Sequence, residues 1–325
     1  MKIKTFLSLA VVGTMAMSGE AAVVTDTSVL AHSDSVAKTV PGIKLSNGAV
    51  MPQFGLGVYQ IKDGENAYNA VLTALQNGYR HIDTAHAYQN ERSVGRAVKD
   101  SGIPRDQIWI TSKLWPNEYG PEATPEAIDR MLKRLDMEYI DLLYLHQPVG
   151  DYVGGYKAME QALKDGKIRA LGISNFDFSD SLYHSLVDNV TLIPDAMQIE
   201  CHPYAQRKHW KEVLDSAGTV LEAWFPLGGR DSNGAILHDP VIVEIAKTHG
   251  KSPAQIIIRW HVQEGHSVIP GAENPDYIKE NIEVFDWELT SDEMARIHAL
   301  DSEKRYFNMS YDQIKDWFGG YKLID

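Results

Sequence analysis

Cysteine is almost absent from this 325-residue chain, with Cys201 the only one. A single thiol builds no disulfide framework, Cys-rich metal site or dithiol redox centre within one chain. Basic residues are also scarce. Lysine and arginine total 31 against 44 acidic residues, a formal net charge of -13. A surface that acidic repels phosphate backbones, so neither nucleic acid nor anionic membrane is expected as a partner. Plain solubility accounts for the charge equally well. Several short motifs are missing too. Gly55-Leu56-Gly57 lacks the third glycine of a dinucleotide fingerprint, and there is no P-loop, His-Glu-x-x-His or Gly-x-Ser-x-Gly.

The start of the chain reads separately. Met1-Lys2-Ile3-Lys4 is basic, and Thr5 to Ala16 is mostly apolar but too short to span a bilayer. Ala16/Ser18 and Gly19/Ala21 then offer small-x-small cleavage patterns, the layout of a secretory signal. Residues 1–21 are therefore expected to be a signal peptide and the protein to be exported. The alternative is a cytoplasmic protein with a mis-assigned start. Residues 22–40 have no convincing period and read as a linker, leaving 41–325 as one folded unit.

From Ile43 onward the punctuation is regular. Asn47-Gly48 between two short alternating runs predicts a hairpin. Eight apolar strand candidates follow: Phe54–Gly57, His81–Asp83, Ile108–Ser112, Ile140–Leu145, Ala170–Ile173, Ala196–Ile199, Val220–Trp224 and Ser267–Ile269. Helix starts lie between or after them. Thr124-Pro125 and Asn274-Pro275 place a cap before a proline, and Ser252 with Gln255 and Thr290 with Glu293 form capping boxes. Strands alternating with helices imply parallel pairing, and eight such units predict a (β/α)8 barrel, with an open doubly wound sheet as the competitor.

In such a barrel, chemistry sits at the carboxyl ends of the strands. Asp83, Lys113, His146, Ser174-Asn175, Gln198 and Trp224 all fall at those ends, with Tyr88 in the loop after Asp83. Any one of them alone reads as an ordinary rim residue. An acid, a cation, a phenol and an imidazole on three neighbouring strands read as a site. Tyr88 serves as a proton donor if a cation lowers its pKa from about 10. Lys113 is the available cation, Asp83 orients it, and His146 is placed to hydrogen-bond a substrate oxygen. With neither metal ligands nor a nucleophile, the set suits reduction of a carbonyl by an external hydride source.

The stretch Gly78-Tyr79-Arg80-His81-Ile82-Asp83-Thr84-Ala85, followed by Glu91 and Val94-Gly95, resembles the first signature of the aldo-keto reductases. Arg169-Ala170-Leu171-Gly172-Ile173-Ser174-Asn175-Phe176 resembles the second. The resemblance implies a catalytic tetrad of Asp83, Tyr88, Lys113 and His146, and an NADP or NAD cofactor whose carboxamide is held by Ser174, Asn175 and Gln198. It further implies that Trp224 stacks on the nicotinamide and that Tyr59 and Trp115 line the substrate pocket with Tyr88 and His146. For Tyr59 and Trp115, core or rim packing is the alternative. The aromatic tail Tyr306, Phe307, Tyr311, Trp317, Phe318 and Tyr321 either caps the pocket or, for most of these residues, docks on the barrel. The family's usual state implies a monomer acting on a small carbonyl compound, including sugar or keto-acid carbonyls.

The third signature departs from the family's. Glu280 and Asn281 stand at matching cofactor-binding positions. Gly271, Ala272 and Tyr277 replace the cation, hydroxyl and arginine that would grip the 2′-phosphate of NADP. Cofactor preference is thus open. A non-catalytic cofactor-sensing protein on the same barrel is the competing function. A sugar isomerase or metal-dependent hydrolase is a third reading, disfavoured by the lack of a ligand cluster.

Overall fold

The structure is a computed structural model that describes residues 40–323. The signal-like segment and nearly all of the linker lie outside the described residues. The chain first forms a hairpin of β1 (Gly42–Lys44) and β2 (Val50–Pro52), with Ile43 opposite Met51. Asn47-Gly48 makes the turn, and Gly48 has a φ of 90° that an L side chain rarely adopts.

Eight parallel strands follow: β3 (Leu56–Gly57), β4 (His81–Asp83), β5 (Trp109–Leu114), β6 (Leu142–Leu145), β7 (Leu171–Ser174), β8 (Ala196–Glu200), β9 (Val220–Trp224) and β10 (Ser267–Val268). Each pairs with the next. The ends then meet, because Gly55 N donates to Val268 O at 3.0 Å and Gly57 N to Pro270 O at 3.2 Å. The sheet therefore closes on itself as a (β/α)8 barrel and has no free edge.

The helices ring it: α1 (Glu65–Gln76), α2 (Glu91–Asp100), α3 (Ala123–Leu135), α4 (Tyr152–Lys164), α5 (Asp180–Val187), α6 (Lys208–Ala217), α7 (Pro240–His249), α8 (Pro253–Gln263), α9 (Pro275–Ile282), α10 (Ser291–His298) and α11 (Tyr311–Gly320). Their apolar stripes bury residues such as Val71, Val94, Ile128, Met159 and Ile257 against the strands, each contributing about 1.5–3 kcal/mol of transfer free energy. Gly95 lets α2 approach the end of α3, since a Cβ there would lie 2.1 Å from Leu135 O.

The Ser252–Gln255 and Thr290–Glu293 boxes and the Asn274 cap form as expected. Thr124 does not cap. Helix α3 begins at Ala123, one residue before it, and the Thr124 hydroxyl donates to Glu118 O at 2.8 Å instead. Strand β5 also runs on to Leu114, so Lys113 lies within the strand rather than after it.

The hairpin closes the amino-terminal end of the barrel. Leu45 and Met51 pack on Trp109, Leu142, Tyr144, Ala170 and Ala196. Ser46 Oγ and Asn47 Nδ2 donate to Asp195 at 2.7 and 2.9 Å, and Asp195 also accepts from Leu171 N. With that end sealed, the barrel formed by the described residues opens to a ligand at its carboxyl end.

Candidate active site

A cavity of about 1200 Å³ lies at the carboxyl ends of the strands. Its floor is built by strand register. Asp83 ends β4; Lys113 on β5 pairs with Tyr144 on β6, and Ser174 on β7 pairs with Gln198 on β8. Lys113 is fully buried, and its ammonium donates to both Asp83 oxygens at 2.6 and 2.7 Å and to Thr84 O at 2.9 Å. All three of its hydrogens are thereby used, which fixes its position.

The aromatic groups stand above this pair. The Lys113 ammonium lies 4.9 Å from the centre of the Tyr88 ring, within cation–π range. Tyr88 meets His146 edge-on at 5.7 Å and Tyr59 at 5.0 Å, and Trp115 meets His146 at 5.2 Å. Asp83, Lys113, Tyr88 and His146 thus come together, and Tyr59 and Trp115 line the same cavity.

Burial sets the protonation of these groups. Burial, Asp83 and Tyr59 push the Tyr88 phenol well above its usual range, so it holds its proton. This corrects the expectation of a phenol lowered by Lys113: desolvation dominates, and the negative charge of Asp83 adds to it. Burial and Lys113 push His146 well below the usual imidazole range, so it is neutral. Burial pushes the Asp83 carboxyl up; Lys113 pulls it down and Glu222 raises it again.

The neighbouring wall carries amides. Asn175 adopts the left-handed φ of 64° that asparagine tolerates. Its Nδ2 donates to His146 O and Ser174 Oγ, both at 3.1 Å, while its Oδ1 accepts from Trp224 Nε1 at 3.1 Å. Gln198 Nε2 donates to Asp83 at 2.8 Å and to Glu222 at 2.7 Å. Glu280 and Asn281 stand apart. They lie on α9, where Asn281 is buried and the Glu280 carbonyl accepts from Gln255, and neither lines the cavity as it stands.

The tail does more than dock. Tyr311 ties down through Pro148 O at 3.0 Å, and Glu200 accepts from Arg305 Nε and from the Tyr306 and Phe307 backbone. Phe307, Trp317, Phe318 and Tyr321 nevertheless line the cavity, and Trp115 Nε1 donates to Tyr321 O at 3.1 Å. Four of the six tail aromatics therefore face the cavity, where most were expected only to pack.

Two features escaped the sequence reading. Glu222, wholly buried on β9, accepts from Tyr144 and Ser267 besides Gln198. Its signal was its alternation with Trp224, which puts both on one face of β9. The structure also gathers three metal-ligating residue types where no such cluster was expected: Cys201, His261 and His266 are buried with ligand atoms within 4.8 Å of one another. The Cys201 thiol donates outside the group, to Gln206 O at 3.6 Å, and the two imidazoles share a hydrogen bond at 3.1 Å.

The model of the Aldo/keto reductase family matches residues 53–302. An aldo-keto reductase of Mycolicibacterium smegmatis is 42% identical over 268 residues, covering 82% of this chain and 95% of the relative. A glyoxal reductase of Bacillus subtilis is 41% identical over 266 residues, covering 81% of this chain and 94% of the relative. The crystal structure of an aldo/keto reductase from Brucella melitensis superposes with a TM-score of 0.77 at 39% identity, covering 81% of this chain and all of that one.

Proposed function

Because the chain belongs to the aldo/keto reductase family, a family of oxidoreductases, we propose that it reduces aldehydes or ketones to alcohols with a nicotinamide dinucleotide. The observation that carries this reading is the convergence of Asp83, Lys113, Tyr88 and His146 on one cavity wall. When bound, the nicotinamide supplies the hydride. Tyr88 holds the proton that the carbonyl oxygen takes up. Lys113, pinned by Asp83, places a fixed positive charge beneath the ring that gives up that proton. His146, neutral, donates a hydrogen bond that orients the carbonyl oxygen.

The donor set fits a carboxamide. Ser174 Oγ accepts from Asn175 and keeps its own hydrogen to give, while Gln198 spends both N–H groups on carboxylates and keeps its oxygen. Trp224, held by Asn175, supports the role of a stacking surface. For Glu280 and Asn281, their match to the family's positions supports a cofactor role that requires α9 to border the bound dinucleotide.

The pocket walls favour neutral substrates. Tyr59, Trp115, Phe225, Phe307 and Phe318 give an aromatic lining, and the charged groups Arg230, Asp231, Glu273 and Lys322 join it from residues outside the strands. Lys113, the cation nearest Tyr88, is engaged by Asp83. Short dicarbonyls and aromatic aldehydes suit this lining, and the similarity to a glyoxal reductase supports the former. The test is a panel of dicarbonyls, sugars, keto acids and aromatic aldehydes with NADH and NADPH in parallel. Carbonyl-dependent cofactor oxidation, unaffected by chelator, is expected. Tight dinucleotide binding without turnover of any carbonyl would favour the binding-protein reading instead.

A further inference from the structure

One row of side chains crosses four adjacent strands inside the barrel: Ser174, Gln198, Glu222 and Ser267 are successive register partners on β7, β8, β9 and β10. Glu222 is the anion of the row. It is fully buried and accepts from Gln198 Nε2 at 2.7 Å, Ser267 Oγ at 2.7 Å and the Tyr144 hydroxyl at 3.1 Å. Tyr144 reaches it across the barrel because Gly172 leaves room, where a Cβ would lie 2.4 Å from the Tyr144 ring. The imidazole of His81 is 3.9 Å away, and burial pushes it down to about 4, so it brings no charge near neutral pH.

The consequence falls on Gln198. Its amide has two N–H groups, and two different carboxylates claim them. The reversed amide would set its oxygen against both carboxylates. Oε1, which has no protein donor among the described residues, is therefore the atom left for the cavity that Gln198 lines. We infer that Glu222 is a positioning residue that fixes the polarity of the amide subsite. It makes Gln198 an acceptor beside the Ser174 donor, so that the site takes a carboxamide and rejects the matching carboxylate or methyl ketone. The inference rests on the nicotinamide reading above.

The test is binding, followed by quenching of intrinsic tryptophan fluorescence in the full chain. The probes are a nicotinamide dinucleotide, its nicotinic acid counterpart and its 3-acetylpyridine counterpart. In the wild type the acid form is expected to bind at least about tenfold more weakly than the amide, the equivalent of one hydrogen bond lost. The acetyl form should fall between them. Glu222→Leu frees one Gln198 N–H to turn toward the ligand, and the amide-to-acid ratio should collapse to about threefold or less. Glu222→Gln keeps an acceptor oxygen but can offer its own NH2, and should lower the ratio part of the way. A purely structural role would weaken all three ligands alike and leave the ratio unchanged. An unchanged ratio in either folded variant, or a wild-type ratio near one, overturns the inference. A wild-type protein that binds none of the three overturns the reductase reading instead.

Discussion

NADH should serve this protein almost as well as NADPH. Cofactors of the two kinds differ by a 2′-phosphate carrying nearly two charges. Gly271 and Ala272 line the cavity where a cation and a hydroxyl would grip it, and Tyr277 is 60% exposed and does not line it. Hydrogen bonds to charged groups are each worth about 1.5–3 kcal/mol, so losing two removes at most about 3–6 kcal/mol of discrimination. Water and salt at an open rim reduce that figure. Glu273 also lines the cavity, accepting from Asn66 Nδ2, and works against a phosphate. Asn274 is committed to capping α9 through Asp276 N at 2.8 Å. Among the described residues Arg230 and Lys322 are the lining cations left to compensate, Arg230 exposed and beside Asp231, while Lys279 on α9 does not line the cavity. One exposed ion pair is worth up to about 1 kcal/mol, so kcat/KM for the two cofactors should agree within about tenfold at fixed ionic strength. Arg230→Ala should reduce whatever NADPH advantage remains. A thousandfold preference for NADPH would show that other residues grip the phosphate.

Asp83→Asn leaves the buried Lys113 ammonium without its anion, and should cost about 3–5 kcal/mol in denaturant unfolding together with most of the turnover; a variant as stable as the wild type would mean that the pair contributes nothing. Burial holds His81 down to about 4 and His266 to about 3, with His146 and His261 also held low. Unfolded imidazoles take up protons below about pH 6.5, so the unfolded state binds more protons and stability falls as the pH is lowered below about 6.5, by up to about 1.4 kcal/mol per pH unit for each histidine. Urea midpoints that stay level between pH 7 and pH 5 would refute this. Finally, the basic and apolar start supports export, and the mass of the native protein should lack residues up to about Ser18 or Ala21; an intact Met1–Lys4 in the cytoplasmic fraction would end that reading.

The barrel was legible because its signals are local. Asn47-Gly48, the Ser252–Gln255 box and the short apolar runs each depend on neighbours in sequence, and each forms, with some strand ends shifted by one to two residues. Thr124-Pro125 misled because the competing partner, Glu118 O, is a tertiary accident of the loop before α3. In the site, residue types at strand ends identified what converges but not its protonation. Lys113 was legible as a cation oriented by Asp83, but neither its third bond, to Thr84 O, nor the burial that raises the Tyr88 phenol was. Glu222 was passed over because a carboxylate within Val220–Trp224 reads as a solvent-facing residue until the closed barrel shows that both faces of β9 are covered.

Tyr88→Phe tests most directly whether Tyr88 gives the proton in a carbonyl reduction. The substitution keeps the ring that packs on Tyr59 and His146 and removes only the hydroxyl. With a carbonyl that the wild type turns over, kcat should fall by about 10²–10⁴-fold, the usual worth of general acid catalysis, while dinucleotide binding measured by fluorescence stays within about twofold, since the phenol supplies none of the amide contacts. A folded Tyr88→Phe protein that reduces the same carbonyl at near wild-type rate would contradict the account.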